Sequence, residues 1–283
     1  MKKTTVMGVL SALTIAGAQG ALVDGLVNYW PLDGDATDAA HTTAGSASTV
    51  ADNGVISGAN GTDGIAYAAG LFGLGTLQNG AAGGAAGAEN DGYISITASA
   101  DTQFGGENLT TSMWVQVGSF DTGWQAAISH GEGNNYRIAR RSGNTNEPGY
   151  AGGIGEGPAN GVDISSGWHH LLAITEDGVG TRLYVDGVLA TTVDNVATSI
   201  DNRTDGFLNI GANPATGAQN REWNGNIDDV AQWNRALDDA EIATLYGGGP
   251  SSALSVGDLV AIPEPSSALL AALAGFGLMR RRR

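Results

Sequence analysis

The chain has 283 residues, with 45 glycines and no cysteine; the glycines show no three-residue period, so collagen is excluded, and no disulfide framework, thiolate metal site or thiol nucleophile is available. Thirteen basic residues stand against 29 acidic ones, a formal net charge of −16. Lys2, Lys3 and Arg280, Arg281, Arg282 and Arg283 lie in the end segments, which leaves seven arginines and a processed charge near −22, a field that repels nucleic acid and anionic membrane and offers oxygen ligands to a hard cation.

The N-terminus reads MKKTTVMGVLSALTIAGAQG. Two lysines, a short apolar run and small residues before Ala21 predict a secretory signal peptide over residues 1–20, removed by signal peptidase. LVNYW (26–30) reads as a first strand stopped by Pro31. The acidic loop LDGDATD follows. Residues 70–90 are rich in glycine and alanine; they lack the Gly-Lys-Ser/Thr ending of a phosphate-binding loop and read as a loose connection.

Beyond them the strand signals become regular. YISITAS (93–99), LTTSMWVQV (109–117), QAAISH (125–130), NYRIARR (135–141) and WHHLLAIT (168–175) follow one another. TRLYVDGVLATTV (181–193) carries Asp186-Gly187 between two alternating runs, a hairpin signal. GFLNIGA (206–212) and WNGNIDDVAQWN (223–234) complete the set. Short strands separated by turns predict an all-β antiparallel sandwich. In LDDAEIATLY, Asp238 and Glu241 form a capping-box pattern that predicts one short C-terminal helix, ended by Gly247 to Gly249.

LVNYWPLDGDATD, GYISI, GWHHLLAITEDGVGTRLYVDGVLA and WNGNIDDVAQWNRALDDAEIATLY, in this order over roughly residues 24 to 247, resemble the laminin-G-like, concanavalin A-like lectin/glucanase jelly-roll domain of secreted bacterial proteins. The resemblance implies two stacked antiparallel sheets, as in many carbohydrate-binding proteins, and a domain over 21–249. The chain ends AIPEPSSALLAALAGFGLMRRRR. Pro263, Glu264 and Pro265, an apolar run and four arginines resemble the PEP-CTERM sorting signal over 263–283, with 250–262 as a linker. Ala268 to Met279 spans about 12 residues, roughly 18 Å as a helix, against a hydrocarbon core near 30 Å. It therefore suits a transient membrane stay with the arginines on the cytoplasmic side. The resemblance implies recognition by an exosortase, and delivery to the cell surface, outer membrane or extracellular matrix of a Gram-negative-type bacterium.

Several chemistries are weighed along the chain. Asp33, Asp35 and Asp38 crowd one loop, and Asp228 and Asp229 sit near the far end of the domain. First and last strands often pair, so the two clusters can meet and supply the oxygens Ca²⁺ takes; the spacing is not that of an EF-hand. A structural Ca²⁺ joining these regions is also what the family resemblance implies, for Asp33, Asp38 and Asp228 above all. Strand alternation sends Asp228 and Asp229 to opposite faces. The alternative is a set of solvated turn acids. No glutamate pairs with another on a strand face, so no glycosidase dyad is evident. Adjacent His169 and His170 point apart on a strand and make a poor chelating pair.

Sugar sites set an aromatic ring beside a few polar groups. Trp124, Asn134, Asn135, Tyr136, Arg137, Arg140, Tyr150 and Trp223 are the candidate binding rim. Trp30, Trp114, Trp168 and Trp233 read as core. The expectation is a secreted, non-catalytic protein that binds polysaccharide, exopolysaccharide or matrix. The alternatives are a structural or adhesive surface protein and a polysaccharide-degrading hydrolase or lyase.

Overall fold

Strand Leu109–Val117 explains the layering. Its residues Leu109, Met113, Val115 and Val117 enter one apolar cluster, while Thr110, Ser112 and Trp114 are buried on the other side. A strand buried on both faces must be the middle of three layers.

The computed structural model describes residues 22–57, 65–78, 92–105, 108–131, 135–141, 145–194, 200, 207–213 and 221–261. The readings of 1–20 as a signal peptide and of 263–283 as a sorting helix fall outside them. The described residues form β1 (Leu26–Trp30), β2 (Val55–Ser57), β3 (Ile65–Ala69), β4 (Leu74–Gln78), β5 (Tyr93–Thr97), β6 (Leu109–Val117) and β7 (Ala126–His130). β8 (Tyr136–Arg140), β9 (Pro148–Gly152), β10 (Trp168–Glu176), β11 (Gly180–Val185), β12 (Val188–Asp194), β13 (Phe207–Ile210) and β14 (Gly225–Trp233) follow, then helices α1 (Asp239–Tyr246) and α2 (Val256–Ala261).

All pairings are antiparallel. One sheet runs β12-β11-β10-β6-β14-β4-β3, with β1 also on β14; the other runs β2-β5-β13-β7-β8-β9. First and last strands do meet, Leu26 opposite Trp233 and Trp30 opposite Val230. The predicted sandwich is therefore present, and the Asp186-Gly187 hairpin turns with φ of 53° and 73°. Two expectations differ. The glycine-rich connection from residue 70 contains a tight turn and then β4, paired with both β3 and β14. The expected linker 250–262 contains α2, whose Val256 and Leu259 are buried.

The interior between the sheets is filled by Met113, Val115, Leu171 and Ile227 from the larger sheet against Ile94, Ile128, Ile138 and Ile210 from the smaller. A second apolar cluster lies on the outside of the larger sheet. There Leu26, Leu172 and Trp233 meet Leu245 of α1 and Val256 and Leu259 of α2, together with Leu22. The helices thus roof the larger sheet and leave the outer face of the smaller sheet for other work. Among the described residues no helix is long and apolar enough to cross a membrane.

Candidate functional site

Strand parity selects that outer face. In β5, β13, β7 and β8 the residues Ile94, Leu208, Ile210, Ile128, Tyr136 and Ile138 point into the sandwich core. Their neighbours must point out. The register aligns Ser95 with Asn209, Asn209 with Ser129, Ser129 with Arg137, and Arg137 with Ala151. Four polar side chains therefore form one row across four adjacent strands, roughly 14 Å long at the usual strand spacing.

Three of the four are screened from water, and Ser95 is half-buried. Asn209 is 4% exposed and Arg137 5%, and Ser129 is buried. Ser129 Oγ donates to Ala212 O at 2.7 Å. Asn209 Oδ1 is buried and accepts no hydrogen bond. A buried amide oxygen without a donor costs on the order of 1–3 kcal/mol, so the row carries an unsatisfied acceptor that is covered in this structure.

Rings flank the row. On the β5 side, Tyr93 and Phe207 share its face by parity, with Phe207 opposite Thr97 and 51% exposed, and Val55 opposite Ser95. On the β8 side, Arg137 pairs with Glu156 Oε1 at 3.3 Å. Glu156 Oε2 accepts from Trp124 Nε1 at 3.2 Å, and the Arg221 guanidinium lies 4.9 Å from the centre of the Trp124 ring. Trp124 holds φ 58°, a left-handed conformation uncommon for a bulky residue. The Glu156 bond and the arginine stack hold it there.

The rim expected from sequence divides. Arg137 is a member of the row, and Trp124 is tied to it through Glu156. Tyr136 is buried, stacks on His130 and donates its hydroxyl to Thr102 O. Tyr150 is buried and shares a hydrogen bond with Thr175 Oγ1. Burial drives both phenols far above their usual range. Trp223 is buried edge-on to Phe120. Arg140 stacks over Phe120 and donates to Thr122 O and Thr145 O, so it ties two turns. Asn135 accepts from the backbone N–H of Tyr136 and faces His130 Nδ1 at 3.1 Å. Asn134 lies outside the described residues. Ser95, Ser129, Asn209, Tyr93 and Phe207 were missed. Parity alone would have turned Tyr136 inward with Ile138, and Arg137 outward.

The aspartates also divide. Asp228 is buried; its Oδ2 accepts from the N–H groups of Leu71 and Phe72 at 2.7 and 2.9 Å, and its Oδ1 has no hydrogen-bond partner. Asp33 Oδ1 accepts from Leu74 N–H at 2.8 Å. Both carboxylates thus close on the turn between β3 and β4. Glycine is required there, because a Cβ at Gly70 would stand 2.5 Å from Asp228 Oδ2. Asp38 is elsewhere, accepting from the N–H groups of Tyr29, Ala40 and Asp52. Asp35 accepts from Thr37 N–H at the surface.

Asp229 contradicts the alternation argument. A one-residue bulge separates the pairs Asp228–Trp114 and Ala231–Ser112, with Asp229 at φ 54°. Ile227 and Val230 both enter the inner core, so Asp228 and Asp229 both fall on the other side. Asp229 accepts from Tyr29 OH at 2.7 Å and Val256 N–H at 2.9 Å. Burial pushes each carboxyl up to about 7. Among the described residues no three Asp, Glu, His or Cys side chains gather as a metal set. Of the five aspartates, Asp33 and Asp228 are the two that close on the same turn, and Asp228 Oδ1 there is without a hydrogen-bond partner.

The two histidines do point apart. His169 Nδ1 bonds Asp186 Oδ2 at 2.8 Å, and His170 Nε2 meets Ser112 Oγ at 2.8 Å under the helical roof.

Residues 88–243 match the family profile described as the concanavalin A-like lectin/glucanases superfamily, and residues 261–283 match the PEP-CTERM protein-sorting motif. No match was found among curated proteins. Among solved structures, domain 4 of AbnA, a GH43 extracellular arabinanase from Geobacillus stearothermophilus in complex with arabinotriose, is similar at 18% identity and a TM-score of 0.56, over 77% of this chain and 96% of its own. The binding domain of Paraclostridial Mosquitocidal Protein 1 is similar over 79% of this chain at 14% identity and a TM-score of 0.56. The binding domain of botulinum neurotoxin DC in complex with SialylT is similar over 80% at 14% identity and a TM-score of 0.51. This chain covers 52% of each of those two chains. At such identities the likeness concerns the fold.

Proposed function

The chain belongs to the concanavalin A-like lectin/glucanases superfamily and ends in a PEP-CTERM motif, a signal for exosortase processing and cell-surface sorting; from that premise we propose that it is a non-catalytic carbohydrate-binding protein whose ligand lies along the Ser95–Asn209–Ser129–Arg137 row. The observation that carries this reading is the row itself: donors and an unsatisfied acceptor, Asn209 Oδ1, which a ligand would reach by displacing what covers it, beside the exposed ring of Phe207 on the same strand and with Trp124 beyond Arg137. Sugars present hydroxyls along their edges and apolar C–H faces, and a few placed polar groups beside aromatic surface match both. The arabinotriose complex of domain 4 of AbnA supports the choice of ligand class.

Hydrolysis fits less well. A glycosidase sets two carboxyl groups across the scissile bond. The row's outward positions carry no acid, and the carboxylate at its end, Glu156, is held by Arg137 and Trp124.

We also propose Ca²⁺ at the Asp33–Asp228 pair, narrowed from the five aspartates of the sequence reading. Its support is the orphaned oxygen of a buried carboxylate; the ion's work there would be to neutralise that carboxylate and fix the β3–β4 turn.

The test is a glycan and exopolysaccharide screen on the exported chain, with Ca²⁺ and with EDTA. Binding is expected, and Phe207→Ala and Asn209→Ala should each weaken it by about tenfold or more while the thermal midpoint stays within a few degrees. EDTA should lower the midpoint more than it lowers affinity, because the aspartate pair lies on the other sheet. Absence of binding to any polysaccharide would move the reading to a structural or adhesive role. A midpoint indifferent to EDTA would leave the aspartates with the turn alone.

A further inference from the structure

The sorting motif begins at residue 261, which is also the last residue of α2. The helix is seated, not trailing. Val256 is 1% exposed and Leu259 2%, both in the apolar cluster with Tyr29, Trp233 and Leu245. Val256 N–H donates to the buried Asp229 carboxylate at 2.9 Å. The β14 bulge and Tyr29 OH hold that carboxylate in place. Gly257 lies against the same hydroxyl, where a Cβ would stand 3.2 Å away. Ser255 closes the first turn by accepting from Asp258 N–H at 3.1 Å. Six residues are too few to hold a helix in water alone, so α2 exists because it is docked.

Docking constrains the processing enzyme. Only Ile262 separates α2 from the Pro263-Glu264-Pro265 tripeptide. Enzymes that act on a peptide bond bind the chain extended, with backbone contacts on both sides of the bond. A chain segment cannot be helical on its own domain and extended in an enzyme cleft at once.

We propose that α2 is a latch on the sorting signal: the exosortase engages the tripeptide productively when α2 is undocked, and the processed chain keeps α2 as its docked C-terminal element. Such release is a local opening of the kind that proteins undergo well below the cost of global unfolding. What the open form uncovers on α2 is the apolar pair Val256 and Leu259, buried while the helix is docked.

The experiment follows the full chain in cells that carry the exosortase, with precursor and processed forms separated by mass after a pulse of synthesis. A ten-residue Gly-Ser spacer between Ala261 and Ile262 leaves α2 seated and moves the tripeptide away. Leu259→Asp unseats α2 and leaves the spacing unchanged. Both chains should be processed several-fold faster than the parent, with the spacer chain keeping the parent's thermal midpoint. A spacer chain processed at the parental rate overturns the proposal, because the domain would then not obstruct the enzyme. Acceleration by the spacer without acceleration by Leu259→Asp also overturns it, since proximity to the domain rather than docking of α2 would be limiting.

Discussion

His170 sits on the roofed side of β10, between Trp114 at 5.1 Å and Tyr246 at 6.3 Å between ring centres. Its Nδ1 has no hydrogen-bond partner, and burial pushes the imidazole down to about 4. The unfolded chain holds histidine near 6.5. Between those values the unfolded state binds the proton and the folded state does not. His170 therefore contributes nothing adverse above about pH 6.5, and stability is lost progressively as pH falls from there toward 4. The full loss is about 3 kcal/mol, from 1.36 kcal/mol per unit. His169 works in the opposite sense: its bond to Asp186 raises its pKa, so its contribution is present in acid and lost as pH rises through the folded value. His170→Gln should remove the first term only. Urea unfolding at pH 7 and pH 4 should show the variant losing about 3 kcal/mol less than the parent on acidification. Equal losses would mean that the imidazole is not kept neutral by burial.

At the level of elements, α1 depends on its cap. Asp238 Oδ1 accepts from Ala240 and Glu241 N–H at 2.9 Å each, and Glu241 returns a bond to Asp238 N–H while pairing with Arg235. Asp238→Ala should cost about 1 kcal/mol of unfolding free energy, visible as a lower denaturant midpoint at unchanged slope. Glu241→Ala should cost more, because it also leaves Arg235 without its buried carboxylate; the reverse order would contradict the capping account. This cap was legible in the sequence, since its spacing is local. The strands with clean alternation were legible for the same reason. β2, β3, β4 and β9 were not: Val-Ile-Ser is too short to show alternation, and Ile-Ala-Tyr-Ala-Ala, Leu-Gly-Thr-Leu-Gln and Pro-Gly-Tyr-Ala-Gly have too few β-branched residues to signal a strand, so pairing to β5, β4, β14 and β8 is what makes them strands. The β14 bulge was also invisible, since nothing in Asp228-Asp229 announces the left-handed φ that puts both on one side. The row was hidden most completely. Its members Ser95, Ser129, Arg137 and Asn209 are adjacent only through register between strands far apart in sequence.

For the whole molecule, the layers separate attachment from recognition. Leu22 and Leu259 lie in the same cluster outside the larger sheet, where Trp233 Nε1 also donates to Leu22 O at 2.7 Å. Both ends of the described chain thus leave from the helical roof, while the polar row faces away across two sheets. Between Ala261 and the apolar run that starts at Ala268 there are six residues, roughly 20 Å when fully extended. A precursor held by that run would keep its roof near the bilayer and turn the outer face of the smaller sheet outward. The chain has no cysteine, so single cysteines report position cleanly. Phe207→Cys marks the outer face and Leu254→Cys, 43% exposed in the parent, marks the roof. A bulky, membrane-impermeant maleimide should label position 207 at the same rate in the membrane-held precursor and in the detergent-free processed chain. Position 254 should react several-fold more slowly in the precursor, since the bilayer shields it there. Equal slowing at both positions would mean that the sandwich lies on its side, and slowing at 207 alone would invert the orientation.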